Sequence, residues 1–194
     1  MKNDIILAGV GGQGILSIAT ILGAASLSDN LNLKQAEVHG MSQRGGDVMS
    51  CLRLSSEPIA SDLIAMGRAD MIVSLEPMEA LRYRQWLRPG GWIVTNTVPV
   101  VNIPTYPPTE EIAAELEASG NVIAFDMDKV AAETASARAS NMVLLGAASL
   151  FIDLSPDSIE EAIAAVFATK GDRIIENNIN AFRAGRKEAE AMRK

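Results

Sequence analysis

The chain has 194 residues, of which 48% are hydrophobic and 21% charged, a composition typical of a folded globular protein and not of a disordered one. Its net charge of -7 argues against a nucleic-acid partner, because such surfaces carry an excess of Lys and Arg. With one cysteine and one histidine, the chain cannot form an internal disulfide or its own iron–sulfur cluster, and a zinc site is improbable, so we expect a cytoplasmic protein without a metal site.

The N-terminal two thirds of the chain alternate apolar runs with helical patterns, an order typical of a parallel sheet covered on both faces. Helices are predicted from Ile15 to Leu27, from Pro77 to about Arg88 and from Thr109 to about Ser119. Residues 97–108 hold four of the eight prolines, which predicts an irregular connection. The predicted strands are 4–8, 33–38, 48–54, 71–75, 92–95 and 121–125.

The chain after Asp126 is predicted to be helical. Ser155 and Pro156 form a strong helix start, since serine caps the first amides and proline suits the first turn. Residues 142–152 are apolar but far shorter than the roughly 20 residues of a membrane span, so we expect a buried helix and no membrane partner. Together these patterns predict one domain over residues 1–194 with an α/β fold. It would be a three-layer, largely parallel, Rossmann-like sheet with helices on both faces and a helical C-terminal part.

A glycine-rich loop follows the first predicted strand, with the sequence Gly-Val-Gly-Gly-Gln-Gly at residues 9–14. Glycines at this spacing let backbone amides approach a phosphate at the start of a helix, and Glu37 could bind ribose hydroxyls, as in NAD- or FAD-dependent oxidoreductases. The alternative is that the glycines only permit close packing of helix on strand. The candidate ligand-binding residues of this loop are Gly11, Gly12, Gln13 and Gly14.

A second polar loop, within residues 37–46, lies between the second and third predicted strands. The planar guanidinium of Arg44 and the neutral donors around it suit anion recognition, whereas the simpler interpretation is an exposed glycine-rich turn. Histidine is the residue type whose unperturbed pKa lies near neutrality, so His39 is a candidate general base, although a hydrogen-bonding role at a strand end is more common. The candidate binding residues are Ser42, Gln43, Arg44 and Gly45.

Both loops together resemble the gamma domain of the 2-oxoacid:ferredoxin oxidoreductases. The resemblance rests on Gly-Val-Gly-Gly-Gln-Gly at 9–14 and Glu-Val-His-Gly-Met-Ser-Gln-Arg-Gly-Gly at 37–46. It continues in order through residues 64–70, 75–80 and 141–147, and so covers nearly the whole chain. An autonomous NAD- or FAD-dependent Rossmann oxidoreductase would leave the Ser42–Gly46 loop and these later motifs unexplained. A third possibility is a non-catalytic binding or assembly module that keeps the fold without the ligand.

The resemblance implies a small subunit that works with a larger alpha subunit in a heteromeric enzyme. Thiamine diphosphate, Mg²⁺ and the iron–sulfur clusters would belong to that partner, coenzyme A would be the co-substrate, and ferredoxin would accept the electrons. This chain would hold no cofactor alone, and its two loops would border coenzyme A or the partner's site. Overall resemblance and length favour indolepyruvate or another aryl pyruvate as the 2-oxoacid.

Overall fold

A computed structural model describes residues 1–39 and 45–193, and of His39 only the backbone. The centre of the molecule is a six-stranded sheet with the strand order β2-β3-β1-β4-β5-β6. Its strands are β1 (Lys2–Val10), β2 (Asn32–His39), β3 (Asp47–Ser55), β4 (Ala69–Ser74), β5 (Leu87–Asn96) and β6 (Val122–Phe125). Strands β1, β4, β5 and β6 pair in parallel, and β3 runs antiparallel to both β1 and β2. Five strands therefore point the same way and only β3 is reversed.

Helices cover both faces of this sheet, which gives the three layers that the sequence predicts. The helices are α1 (Ile15–Ser28), α2 (Pro77–Arg82), α3 (Thr109–Glu117), α4 (Met127–Thr134), α5 (Ser140–Ala148), α6 (Pro156–Val166) and α7 (Asp172–Met192). Ile5 and Leu7 of β1 face a large core formed with α1, α4, α5, α6 and α7, whereas Ile6 and Ala8 face a smaller core formed with α2 and α3. This alternation is the expected result of a pleated strand buried on both faces.

Local capping explains where several helices start. The Ser155 hydroxyl accepts a hydrogen bond from the Ser158 amide at 3.0 Å, and Pro156 occupies the first turn of α6, as predicted. The Asp126 carboxylate accepts a bond from the Lys129 amide at 2.8 Å and begins α4. Within the described residues, no helix combines the length and apolarity that crossing a membrane would require.

The predicted helix from Pro77 to about Arg88 is wrong in its second half. Helix α2 ends at Arg82, and a single 3-10 turn leads directly into β5 at Leu87. The segment Arg88-Pro89-Gly90-Gly91, near which the predicted helix ends, therefore belongs to the strand. Gly90 has φ 76°, and the pairing of β4 with β5 shifts register here, so the proline and glycine signals mark an irregular strand end.

Helices α5 and α7 cross at unusually short range because each carries a glycine at the contact. A Cβ built on Gly146 would lie 2.8 Å from the carbonyl carbon of Phe182 and closer still to its oxygen. A Cβ on Gly185 would lie 2.7 Å from the carbonyl carbon of Val143, on the facing helix. Both approaches are to backbone, so a larger residue would force the helices apart.

Candidate functional site

The two glycine-rich loops meet at the edge of the sheet where the parallel strands end. The Gly11 amide donates to the carbonyl of Gly46 at 2.8 Å, and the Gly45 amide donates back to the carbonyl of Gly11 at 3.3 Å. Asn102, from the proline-rich connection, donates its side-chain amide to the carbonyl of Gly45 at 2.8 Å. Because ligands usually bind at the carboxyl edge of such sheets, these contacts bring the first loop and, from the second, Gly45 and Gly46 to the edge where a ligand site is expected.

The Gln13 side chain closes the first glycine loop from inside. Its Oε1 accepts a hydrogen bond from the Val10 amide at 2.7 Å, and its Nε2 donates to the carbonyl of Leu75 at 3.1 Å. Gly12 and Gly14 have φ values of 106° and 79°, in the left-handed region that favours glycine. The loop is thus tied to β4 and turned sharply into α1.

A cavity of about 430 Å³ opens beside this loop, and we name it the glycine-loop cavity. Arg138, which precedes α5, is exposed at its wall and forms no ion pair with the residues that the structure describes. Asn141 donates its amide to the carbonyl of Gly14 at 3.2 Å and so joins α5 to the loop. The lining residues are Gly12, Gln13, Leu75, Asn96, Asp128, Ala137, Arg138, Ser140 and Asn141.

A hydrogen-bonded group fixes the far wall of this cavity. One Asp128 oxygen accepts from the Asn96 amide at 2.9 Å, and the other accepts from the Ser140 hydroxyl. The Asn96 Oδ1 also accepts a hydrogen bond from the Met127 amide at 3.0 Å, which fixes the end of β5 against the start of α4. The cavity therefore has a negative wall at Asp128 and a positive wall at Arg138, so an anion would bind on the Arg138 side.

The buried Glu76 carboxylate holds the proline-rich connection against the same edge. Glu76 follows β4 and is 0% exposed, and it accepts bonds from the Glu79 amide at 2.8 Å, from the Val100 amide at 3.3 Å and from the Tyr106 hydroxyl. Burial and the bond to Glu76 raise the pKa of Tyr106, so the phenol stays a donor at neutral pH. A buried carboxylate with three donors is a stabilising anchor, because its lone pairs are satisfied.

The structure brings only part of the predicted site residues together. Gly11, Gly12, Gln13 and Gly14 adjoin Gly45 at the sheet edge, whereas Ser42, Gln43 and Arg44 lie outside the described residues. The backbone of His39 pairs with Val48 at the end of β2, and its side chain also lies outside the described part. Roles in binding or catalysis for all of them remain predictions.

Five further polar residues around the cavity were missed as site residues from the sequence: Asn96, Asp128, Arg138, Ser140 and Asn141. A signal for two of them existed, because Asn96 and Asp128 follow the ends of two predicted strands and therefore come to the ligand-binding edge. Arg138, Ser140 and Asn141 had no such signal, since they lie just before or at the start of α5, whose position relative to the glycine loop depends on tertiary packing.

The strand order argues against an NAD- or FAD-dependent Rossmann site. In that fold the acidic residue lies at the end of a strand next to the first one, but here β3 separates β2 from β1. Glu37 is thus two strand spacings, roughly 10 Å, from β1. Through Ser50 it is also level with Leu7, well below the glycine loop. Its carboxylate accepts a bond from Gln35 at 2.7 Å instead.

The family model for pyruvate ferredoxin/flavodoxin oxidoreductase matches residues 4–188. The chain belongs to this family. Indolepyruvate oxidoreductase subunit IorB of Pyrococcus horikoshii is 38% identical over 97% of this chain and 96% of its own length. The 2-oxoglutarate synthase subunit KorC of Methanocaldococcus jannaschii is 31% identical over 95% of this chain and 92% of its own length.

A solved structure of the family has the same fold over the whole chain. The 2-oxoglutarate:ferredoxin oxidoreductase from Magnetococcus marinus, solved with 2-oxoglutarate, coenzyme A and succinyl-CoA bound, matches with a TM-score of 0.78 at 26% identity. The match covers 100% of this chain and 32% of that larger chain. The predicted α/β fold and the predicted 2-oxoacid:ferredoxin oxidoreductase resemblance are both confirmed.

Cys51, the one thiol of this family member, does not fit an iron–sulfur cluster. It lies 2% exposed on β3, and burial raises the pKa of its thiol, which disfavours the thiolate that a cluster needs. In the described part of the chain, no three His, Cys, Asp or Glu side chains form a group suited to a metal ion. With one buried thiol in its sequence, this chain does not supply the four thiolates that an iron–sulfur cluster usually needs.

Proposed function

We propose that this chain is the small, cluster-free subunit of a cytoplasmic 2-oxoacid:ferredoxin oxidoreductase and acts as one domain over residues 1–194. The larger partner would carry thiamine diphosphate, Mg²⁺ and the iron–sulfur clusters, and ferredoxin would accept the electrons from the complex. The likeness to IorB over nearly the full length of both chains supports this division and favours an aryl pyruvate such as indolepyruvate as substrate.

The observation that carries the ligand assignment is the junction of the two glycine loops beside Arg138. Coenzyme A is an elongated anion, and this edge offers a free guanidinium, accessible loop backbone and a cavity of about 430 Å³. We assign the phosphates or the pantetheine arm to the edge formed by Gly11, Gly12, Gln13 and Gly14 together with Arg138. Ser42, Gln43, Arg44 and Gly45 would extend this edge or contact the partner.

Co-purification tests the predicted partner, and an activity assay on the purified complex tests the predicted reaction. The tagged chain is purified from its native cell with the proteins bound to it, and ferredoxin reduction is measured with coenzyme A and a panel of 2-oxoacids. Recovery of a large iron–sulfur, thiamine-dependent subunit with coenzyme A-dependent activity is the expected result. A chain that co-purifies alone with a bound dinucleotide would contradict the proposal.

Arg138→Ala tests the ligand edge in the assembled complex. A charge-assisted hydrogen bond contributes about 1.5–3 kcal/mol, so the KM for coenzyme A should rise roughly ten- to hundredfold while the KM for the 2-oxoacid changes little. Arg68→Ala is the matched control, because Arg68 is also exposed but precedes β4 at the opposite edge of the sheet. Equal KM values for the two variants would refute a role for Arg138 in binding.

A further inference from the structure

The proline-rich connection between β5 and α3 passes over the end of β1. Strand β1 lies between β3 and β4 in the sheet, so two strand spacings, roughly 10 Å, separate β3 from β4. Glu76 follows β4 and accepts the Val100 amide of the connection at 3.3 Å. Asn102 of the connection donates to the carbonyl of Gly45, just before β3, at 2.8 Å. The connection therefore bridges the strands on either side of the first glycine loop.

The exposed tip of this connection, residues 101–105, has both of its ends bound to one buried oxygen. The Glu76 Oε1 accepts the Val100 amide before the tip and the Tyr106 hydroxyl after it. Glu76 is fixed in turn, because its Oε2 accepts the Glu79 amide at 2.8 Å and its side chain is buried. Closing both ends on one anchored carboxylate removes much of the freedom that an exposed segment would otherwise have.

The contact that Asn102 makes lies at the last step of the β1–β3 pairing. The bonds of Gly11 with Gly45 and Gly46 continue this pairing beyond the ends of both strands. These residues are all glycines, so ordering them costs more backbone entropy than ordering other residues, and the end of a strand pair frays easily. The hydrogen bond from Asn102 to the Gly45 carbonyl holds this step from a third segment of the chain.

We propose that Asn102 is a positioning residue, anchored through Glu76, that fixes the pairing of Gly11 with Gly45 and with it the shape of the first glycine loop. This inference rests on the proposed function, because coenzyme A is assigned to the same loop. Gly12 lines the glycine-loop cavity and follows Gly11 directly, so a loosened pair would also loosen the cavity wall. Asn102 thus acts through the loop backbone and does not itself bind the ligand.

Hydrogen exchange and steady-state kinetics on the complex of the full chain with its larger subunit test this role. Asn102→Ala should speed amide exchange in a peptide covering residues 9–14 about two- to tenfold, the effect of one neutral hydrogen bond. The KM for coenzyme A should rise by a similar factor, while the KM for the 2-oxoacid stays unchanged. Thr105→Ala is the matched control and should change neither quantity, because it truncates another exposed polar side chain of the same tip.

Tyr106→Phe tests whether the Glu76 anchor holds Asn102 in place. This variant keeps the ring and removes one of the three donors to the carboxylate. Asn102→Ala should therefore raise the KM for coenzyme A by a smaller factor in the Tyr106→Phe background than in the unmodified chain, because the tip is already loosened there. Independent effects, whose factors simply multiply, would overturn the anchoring role.

The outcomes separate this inference from the proposed function. If Arg138→Ala raises the KM for coenzyme A but Asn102→Ala leaves amide exchange unchanged, the positioning role is overturned and the ligand assignment stands. The same holds if Asn102→Ala speeds exchange without raising that KM. If neither variant changes the KM for coenzyme A, the ligand assignment of the proposed function fails, and this inference fails with it.

Discussion

Gly146→Ala should strongly destabilise the chain, although it adds only one methyl group. The new Cβ would lie 2.8 Å from the carbonyl carbon of Phe182 and 2.9 Å from the amide nitrogen of Arg186. Ordinary carbon contacts are about 3.5–4.0 Å, so α5 and α7 would have to part by about 1 Å. A gap of that size forfeits roughly a quarter to a half of the dispersion energy across the contact.

The magnitude follows from what is packed there. A buried Leu-sized side chain makes about 40–60 atomic contacts of about 0.1–0.2 kcal/mol each, and Phe182 and Val143 are both 0% exposed at this crossing. Losing a quarter to a half of one such set costs about 1–6 kcal/mol, and the better helix propensity of alanine returns about 1 kcal/mol. We therefore expect a net destabilisation of about 3 kcal/mol, with a similar value for Gly185→Ala.

Urea denaturation of the full chain, followed by circular dichroism, measures this free energy. The matched control is Gly23→Ala in α1, where the added Cβ would meet only the end of the Leu33 side chain at 3.2 Å. That side chain can rotate away, so Gly23→Ala should be neutral or stabilising by up to about 1 kcal/mol. If Gly146→Ala and Gly23→Ala gave the same midpoint, the packing argument would be wrong.

Two predictions concern ionisable groups in the cores. Burial beside a carboxylate raises the pKa of Tyr83 to about 12, and burial with the bond to Glu76 also raises the pKa of Tyr106. The stabilisation from these two tyrosines is thus present below the ordinary pKa of about 10 and is lost as pH rises through the raised pKa values. The phenolate absorbance of the native chain should therefore appear at a higher pH than that of the denatured chain. Burial opposes ionisation of Asp4, but its bonds to Arg53 and Lys2 outweigh burial and lower its pKa. Arg53→Gln should cost about 3 kcal/mol at neutral pH in the urea assay.

The pH dependence of the Asp4 pair has the opposite sign to that of the tyrosines. Its stabilisation is present above the unfolded pKa of about 3.9 and is lost as pH falls through the lowered folded value, so the effect of Arg53→Gln should shrink in acid. The control is Arg84→Gln, whose ion pair with Glu115 has side chains 48% and 60% exposed and should contribute less than about 1 kcal/mol. Equal costs for both variants, or native and denatured tyrosine titrations that coincide, would contradict these assignments.

The sequence predicted the positions of the strands and helices better than it predicted which elements lie next to each other. All six strands lie where apolar runs indicated, because a buried strand can be recognised from the spacing of its apolar residues and from its β-branched residues. The end of α2 was misplaced by several residues, since proline and glycine at 89–91 are turn signals that also occur at irregular strand ends. For the site, the glycine loops were predicted, but Arg138 was not, because it lines the same cavity as Gly12 through the packing of the start of α5 beside the glycine loop.

The reversed strand β3 determines what the glycine fingerprint means in this chain. In a dinucleotide site the fingerprint and its acidic residue belong to neighbouring parallel strands, but here the hairpin of β2 and β3 carries Glu37 away and brings Gly45 and Gly46 to Gly11. The position of a ribose-binding carboxylate is thus taken by a second glycine-rich loop. Gln13 meanwhile uses its amide to close the first loop. The same six residues therefore lie beside a second loop in place of a carboxylate, and the deciding difference is a strand order that no local pattern encodes.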